Sequence, residues 1–141
     1  MKFFPTFGLV AAVAVSAAPA FAKNYECKLK MGRSGGNWMG PTVYVNYDEA
    51  NGTAMIIDGI INKYVGKPVP TSSITDNAKR TSFRYRLDTI GGTSTGRSGV
   101  AYANHVYSLT IKKPSLSAVI TMKPLGYQNT FRDTGTCKVT K

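Results

Sequence analysis

The chain has 141 residues, with 18 lysines and arginines against 7 aspartates and glutamates, for a net charge of +11. That length fits one domain with a single core, and two cysteines with one histidine exclude cysteine-rich metal clusters and CxxC redox chemistry. The excess of cations favours anionic partners: polysaccharide, lipid headgroups, an acidic protein or nucleic acid.

Residues 1–22, MKFFPTFGLVAAVAVSAAPAFA, read as a signal peptide. Lys2 supplies the positive start, 7–18 the short apolar stretch, and Ala20-Phe21-Ala22 a small-x-small cleavage site. The apolar stretch is shorter than the roughly 20 residues a spanning helix needs, and Pro19 interrupts it. No cysteine follows the cleavage site to carry a lipid, and no later segment is apolar enough to span, so a soluble periplasmic or secreted protein is expected. Cleavage leaves residues 23–141 as a single domain; losing Lys2 leaves 17 basic against 7 acidic side chains, a net charge of +10.

From there the chain alternates apolar and polar residues in short runs rich in Val, Ile, Thr and Tyr, punctuated by Gly, Pro and Asn. Strands are predicted at 25–31, 42–47, 53–58, 60–65, 81–89, 100–111, 117–123 and 129–140, the last interrupted at Gly135. The second and third are joined by Asp48-Glu49-Ala50-Asn51-Gly52, a hairpin loop with glycine where φ is positive. Asn51-Gly52-Thr53 also matches a glycosylation sequon, though the turn accounts for it. Alternation places Cys27, Leu29 and Met31 on one face, opposite Lys28 and Lys30, and Cys137 and Val139 opposite Lys138 and Thr140. Likewise Phe83, Tyr85 and Leu87 oppose Arg84, Arg86 and Asp88. Much of the positive charge therefore lies on outward faces.

Cys27 and Cys137, an even pair in an exported chain, read as a disulfide. Both fall on the apolar phase, and in an up-and-down order of about eight strands they meet only if the first and last strands are neighbours. The expected fold is an all-β, antiparallel up-and-down barrel, lipocalin-like in shape; the alternative is a β-sandwich with its terminal strands paired. Such an interior is just filled by side chains or holds one small ligand, and Met31, Met55, Met122, Phe83, Tyr85, Tyr107 and Leu109 are its candidate lining.

The tetrapeptide Gly-Arg-Ser-Gly occurs twice, at 32–35 and 96–99, on loops that a meander brings to one end. Trp38 lies in the first loop and Tyr127 in another at that end. Arg33 and Arg97, with their forked donors, and the two aromatic rings form the candidate ligand site, for an anionic or sugar-like molecule. His105 shares an inward phase with Tyr107 and Leu109 and reads as structural, since no cysteine or carboxylate cluster accompanies it. No nucleophile elbow and no facing carboxylate pair is present; Asp48 and Glu49 adjoin, but in a tight solvated turn. No catalytic residue, metal or cofactor is expected. Basic, tyrosine-rich barrels include oligonucleotide binders, yet no RNP-type motif occurs and export points away from nucleic acid.

The leader, the early Tyr25-Glu26-Cys27 and the closing Gly135-Thr136-Cys137 resemble small exported single-disulfide β-barrel proteins of Gram-negative bacteria, many of them uncharacterised. One such group, the periplasmic inhibitors of c-type lysozyme, is similar in its early Tyr-x-Cys, its terminal Cys and a Ser-Gly-x-x-Tyr segment, matched by Ser98, Gly99 and Tyr102. Their Lys-Gly with acidic neighbours is replaced by Lys112-Lys113-Pro114, and a basic lysozyme would be repelled by a chain at +10. The resulting expectation is a non-catalytic exported binding protein for an anionic partner or small ligand; the alternatives are an enzyme inhibitor acting through its loops and a hydrolase using His105.

Overall fold

The computed structural model describes residues 22–32, 38–93 and 100–140. The leader up to residue 21, and Arg33 and Arg97 with most of the two Gly-Arg-Ser-Gly loops, lie outside the described residues.

The fold is all-β and antiparallel. Its strands are β1 (Lys23–Lys30), β2 (Thr42–Asp48), β3 (Thr53–Asp58), β4 (Val69–Pro70), β5 (Ser73–Asp76), β6 (Arg80–Thr93), β7 (Val100–Lys112), β8 (Ser117–Pro124) and β9 (Phe131–Thr140). They form one sheet in the order β4-β3-β2-β1-β9-β8-β7-β6-β5, curled into an open half-barrel. The chain's first and last strands thus pair in the middle of the sheet, and Cys27 lies directly opposite Cys137, bonded to it. Both ladder ends, β4 and β5, come from mid-sequence and are joined by Thr71 and Ser72. The Thr71 N–H donates to Ala54 O of β3, and the Ser72 N–H to Arg84 O of β6.

The β2–β3 turn forms as its residues dictate. Asp48 accepts from the Asn51 N–H and side-chain amide, and Gly52 sits at φ 64°. Gly135 does not interrupt β9; it pairs with Leu29 and Ala118 inside the strand.

Segment 60–65 is a helix rather than the predicted strand. Helix α1 (Gly59–Tyr64) begins at Asp58, whose Oδ1 accepts the Ile61 N–H at 2.7 Å. A capping aspartate and one buried isoleucine outweigh the β-branched run. The Tyr64 hydroxyl ties α1 to Gly91 O of β6.

Inward side chains fill the curl. Tyr25 and Tyr47 meet Phe83 with ring centroids 6.2 and 5.3 Å away, linking β1 and β2 to β6 across the interior. Higher up, Tyr85 and Tyr107 stack at 4.8 Å. Burying such rings contributes about 1.5–3 kcal/mol each. Met122, Phe83, Tyr85, Tyr107 and Leu109 are core residues as expected, whereas Met31 and Met55 are 46% and 42% exposed and line no interior. Met31 lies past the end of β1, and Met55 is on the outward phase of β3, between buried Ala54 and Ile56.

Candidate functional site

The antiparallel order brings four connections to one end of the curl: β1–β2, β3–β4 with α1, β6–β7 and β8–β9. Of the residues read as a ligand site, two are described. Trp38 is half-buried and packs on the core, its ring edge-on to His105 at 5.0 Å and its carbonyl accepting the Tyr107 hydroxyl at 2.9 Å. Tyr127, in the β8–β9 connection, is 43% exposed. The first Gly-Arg-Ser-Gly loop is held at its start, where the Gly32 N–H donates to buried Asp133 at 3.1 Å.

Beneath this end lies a polar layer that sequence reading resolved only for His105. Asp58 and His105 are buried, as is the Tyr85 hydroxyl, and Asp58 Oδ2, His105 Nδ1 and Tyr85 OH have no hydrogen-bond partner among the described residues. Burial pushes the Asp58 carboxyl up, against the lowering effect of the Ile61 and Ile60 N–H groups. It also pushes the Tyr85 hydroxyl well up, with the Asp58 and Tyr107 charges adding to it. Burial holds His105 below its usual range. Each group is thus biased toward its neutral form, which opposes the use of His105 as a cation or Tyr85 as a phenolate. Reading 60–65 as a strand and Met55 as interior lining hid both the cap at Asp58 and its inward phase. Among the described residues no group of three or more His, Cys, Asp or Glu could hold a metal ion.

At the opposite end, Asp76 of β5 gathers three donors. It accepts from Lys113 Nζ at 2.5 Å, Thr81 Oγ1 at 2.9 Å and Tyr47 OH at 3.1 Å. Burial raises its carboxyl, but these bonds outweigh that and hold it below the usual range. The network joins β5 to β2 through a tyrosine hydroxyl; it is structural.

The outer surface divides sharply by charge. On β6 through β9 and β1 each strand carries outward cations, with hydroxyls beside them on β6 to β9. Arg84 of β6, Ser108 of β7, Thr121 of β8 and Arg132 of β9 lie in one register row. The adjoining row carries Arg86, Val106 and Lys123. Lys28 and Lys30 continue the cationic surface on β1, opposite Thr136 and Thr134. Two acids interrupt it: Asp88, 2.5 Å from Arg86, and Glu26, 3.2 Å from Lys138 and 4.0 Å from Lys28. The outward faces of β2 and β3 carry no lysine or arginine; Tyr44, Asn46, Met55 and Ile57 stand there. Alternation in sequence located the outward cations, but only the sheet order shows that they share one wall and that β2 and β3 lie beyond it.

No helix among the described residues is long and apolar enough to cross a membrane. No family model, no curated protein and no solved structure matches the chain, so fold and charge distribution carry the functional argument.

Proposed function

We propose that the chain is a non-catalytic binding protein, exported by its leader to the periplasm or beyond, that holds an acidic polysaccharide on the wall formed by β6 to β9 and β1. The observation that carries this reading is the segregation of charge: each of five adjacent strands bears outward cations while the neighbouring β2 and β3 bear no lysine or arginine. Cations spaced along extended strands suit a linear polyanion, and the serines and threonines between them can bond to sugar hydroxyls and carboxylates. In the same reading β4 and β5, joined by Thr71 and Ser72, act as one bent strand that closes an eight-stranded up-and-down barrel; their N–H bonds to β3 and β6 support this. A closed cylinder would present the wall as a rigid surface.

The test is calorimetric titration with alginate, a polyuronate, at ionic strengths from about 0.02 to 0.5 M, over which screening collapses surface attraction. Saturable binding that weakens steeply with salt, and is lost in the Arg84→Glu/Lys123→Glu/Arg132→Glu variant with its circular dichroism unchanged, is the expected result. Equal binding by that variant, or none at low salt, would overturn the assignment. So would duplex DNA binding more tightly than the polyuronate. Substrate turnover abolished by a point change that leaves the fold intact would refute a non-catalytic role.

A further inference from the structure

The border between the cationic wall and the cation-free strands β2 and β3 carries a feature of its own. A pit of about 250 Å³ opens on the outer face of β1, β2 and β3. This is below the roughly 300–1,000 Å³ of drug-sized pockets and is the scale of one six-membered ring with its substituents. One side is apolar: the Tyr44 ring, 51% exposed, and Met55, 42% exposed, stand with Ile57 and Pro68. Register explains the grouping, since Tyr44 pairs with Ile57 and Asn46 with Met55 on neighbouring strands. The other side is polar and already arranged. Asn46 Nδ2 donates to Asn24 Oδ1 at 2.7 Å, which leaves the Asn46 carbonyl and the Asn24 amino group to bond outward. Thr140, opposite Asn24, adds a hydroxyl. Among the described residues lining the pit there is no lysine, arginine, histidine, aspartate or glutamate. The nearest acid in register, Glu26 opposite Tyr44, is engaged by Lys138.

From this geometry we infer that the pit is a binding site for a neutral pyranose ring, which stacks its apolar face on Tyr44 and bonds its hydroxyls to the paired amides of Asn24 and Asn46. The three features select the class together. An acyl chain would leave the two amides without use, an anion would find no cation, and a flat aromatic ring would not supply hydroxyls at the amide edge. An exposed tyrosine with a polar rim suits a molecule that is apolar on its face and polar at its edge. The site borders the cationic wall, sharing Asn24 of β1 and Thr140 of β9 with its edge, but its lining holds no cation, so it stands independently of the polysaccharide reading.

Amide-resolved NMR titration of the full mature chain tests it, with methyl β-glucopyranoside and N-acetylglucosamine as neutral probes and hexanoate as the acyl control. The expected result is saturable shifts at Asn24, Tyr44 and Asn46, including the side-chain amides, with at least one sugar, weakened about tenfold by Tyr44→Ala. Asn46→Leu should abolish them, and the triple charge-reversal variant should retain them, which separates this site from the basic wall. Shifts with hexanoate alone, shifts on concentrating the protein without sugar, or no saturable shift with either sugar would overturn the inference.

Discussion

Replacing Gly135 with alanine tests the central strand pair directly. Local preference alone predicts a gain of about 0.5–1 kcal/mol, because glycine weakens a strand interior. The structure predicts the opposite sign. A Cβ at 135 falls 2.0 Å from Lys28 O and 2.8 Å from Leu29 Cα, both backbone atoms. An ordinary contact begins at 3.4 Å, so β1 and β9 would have to part by about 1.4 Å. A ladder bond stretched that far ceases to be a hydrogen bond. Losing the two flanking bonds, at about 1 kcal/mol each, and orphaning part of their buried groups costs about 2–4 kcal/mol. Splaying is further resisted two residues away, where the disulfide holds the Cys27 and Cys137 Cα atoms 3.9 Å apart. The net expectation is a loss of about 2–3 kcal/mol. It is read as a lower urea midpoint with an unchanged slope, measured with the disulfide intact. Gly59→Ala is the internal reference: its Cβ meets nothing within 4 Å at the start of α1, and it should gain about 0.5–1 kcal/mol. A Gly135→Ala protein as stable as the parent would refute the close approach of β1 and β9.

Intact mature protein should weigh two hydrogens less than its sequence, and Cys27→Ser/Cys137→Ser should lose about 4–5 kcal/mol in urea, the loop-closure entropy for a separation of 110 residues; a loss below about 1 kcal/mol would contradict this. Burial keeps His105 below its usual 6.5, so the unfolded chain takes up a proton first as pH falls. Its contribution to stability is therefore complete above about pH 6.5 and declines below it. His105→Gln should flatten the dependence of the urea midpoint between about pH 6.5 and 5, and an unchanged slope would show that the imidazole titrates normally.

Much of the fold could be read from period and parity. Lysines at 28 and 30, alternating with Cys27, Leu29 and Met31, put the cysteine inward, and the same phase at Cys137 required the terminal strands to be neighbours, as they are. What escaped reading is governed by contacts rather than pattern. Gly59 to Tyr64 contains two isoleucines and looks like a strand; only the Asp58 cap, a single side chain, marks it as helix. β4 and β5, of two and four residues, are too short to show any alternation, and their partners β3 and β6 define them. For the surface, sequence placed Arg84, Lys123 and Lys28 outward one strand at a time. Bringing them together needed strand order, and so did the meeting of Tyr44, Asn46 and Asn24, which come from β1 and β2.

The pairing of β1 with β9 also shapes how the fold is reached. The hairpins β2–β3, β6–β7 and β7–β8 join neighbours in sequence and can form as local units. The seam between Asn24–Lys30 and Thr134–Thr140 joins segments about a hundred residues apart, so its loop-closure entropy must be met before any of its bonds repay it. Before β9 pairs, the sheet is two halves continuous only through the bend at Thr71 and Ser72 and touching across the interior through Tyr25, Tyr47 and Phe83, each with a raw strand edge. Insertion of β9 between β1 and β8 is thus the event that converts two sticky halves into one sheet, and loss of β9 would leave β1 and β8 as exposed templates for aggregation.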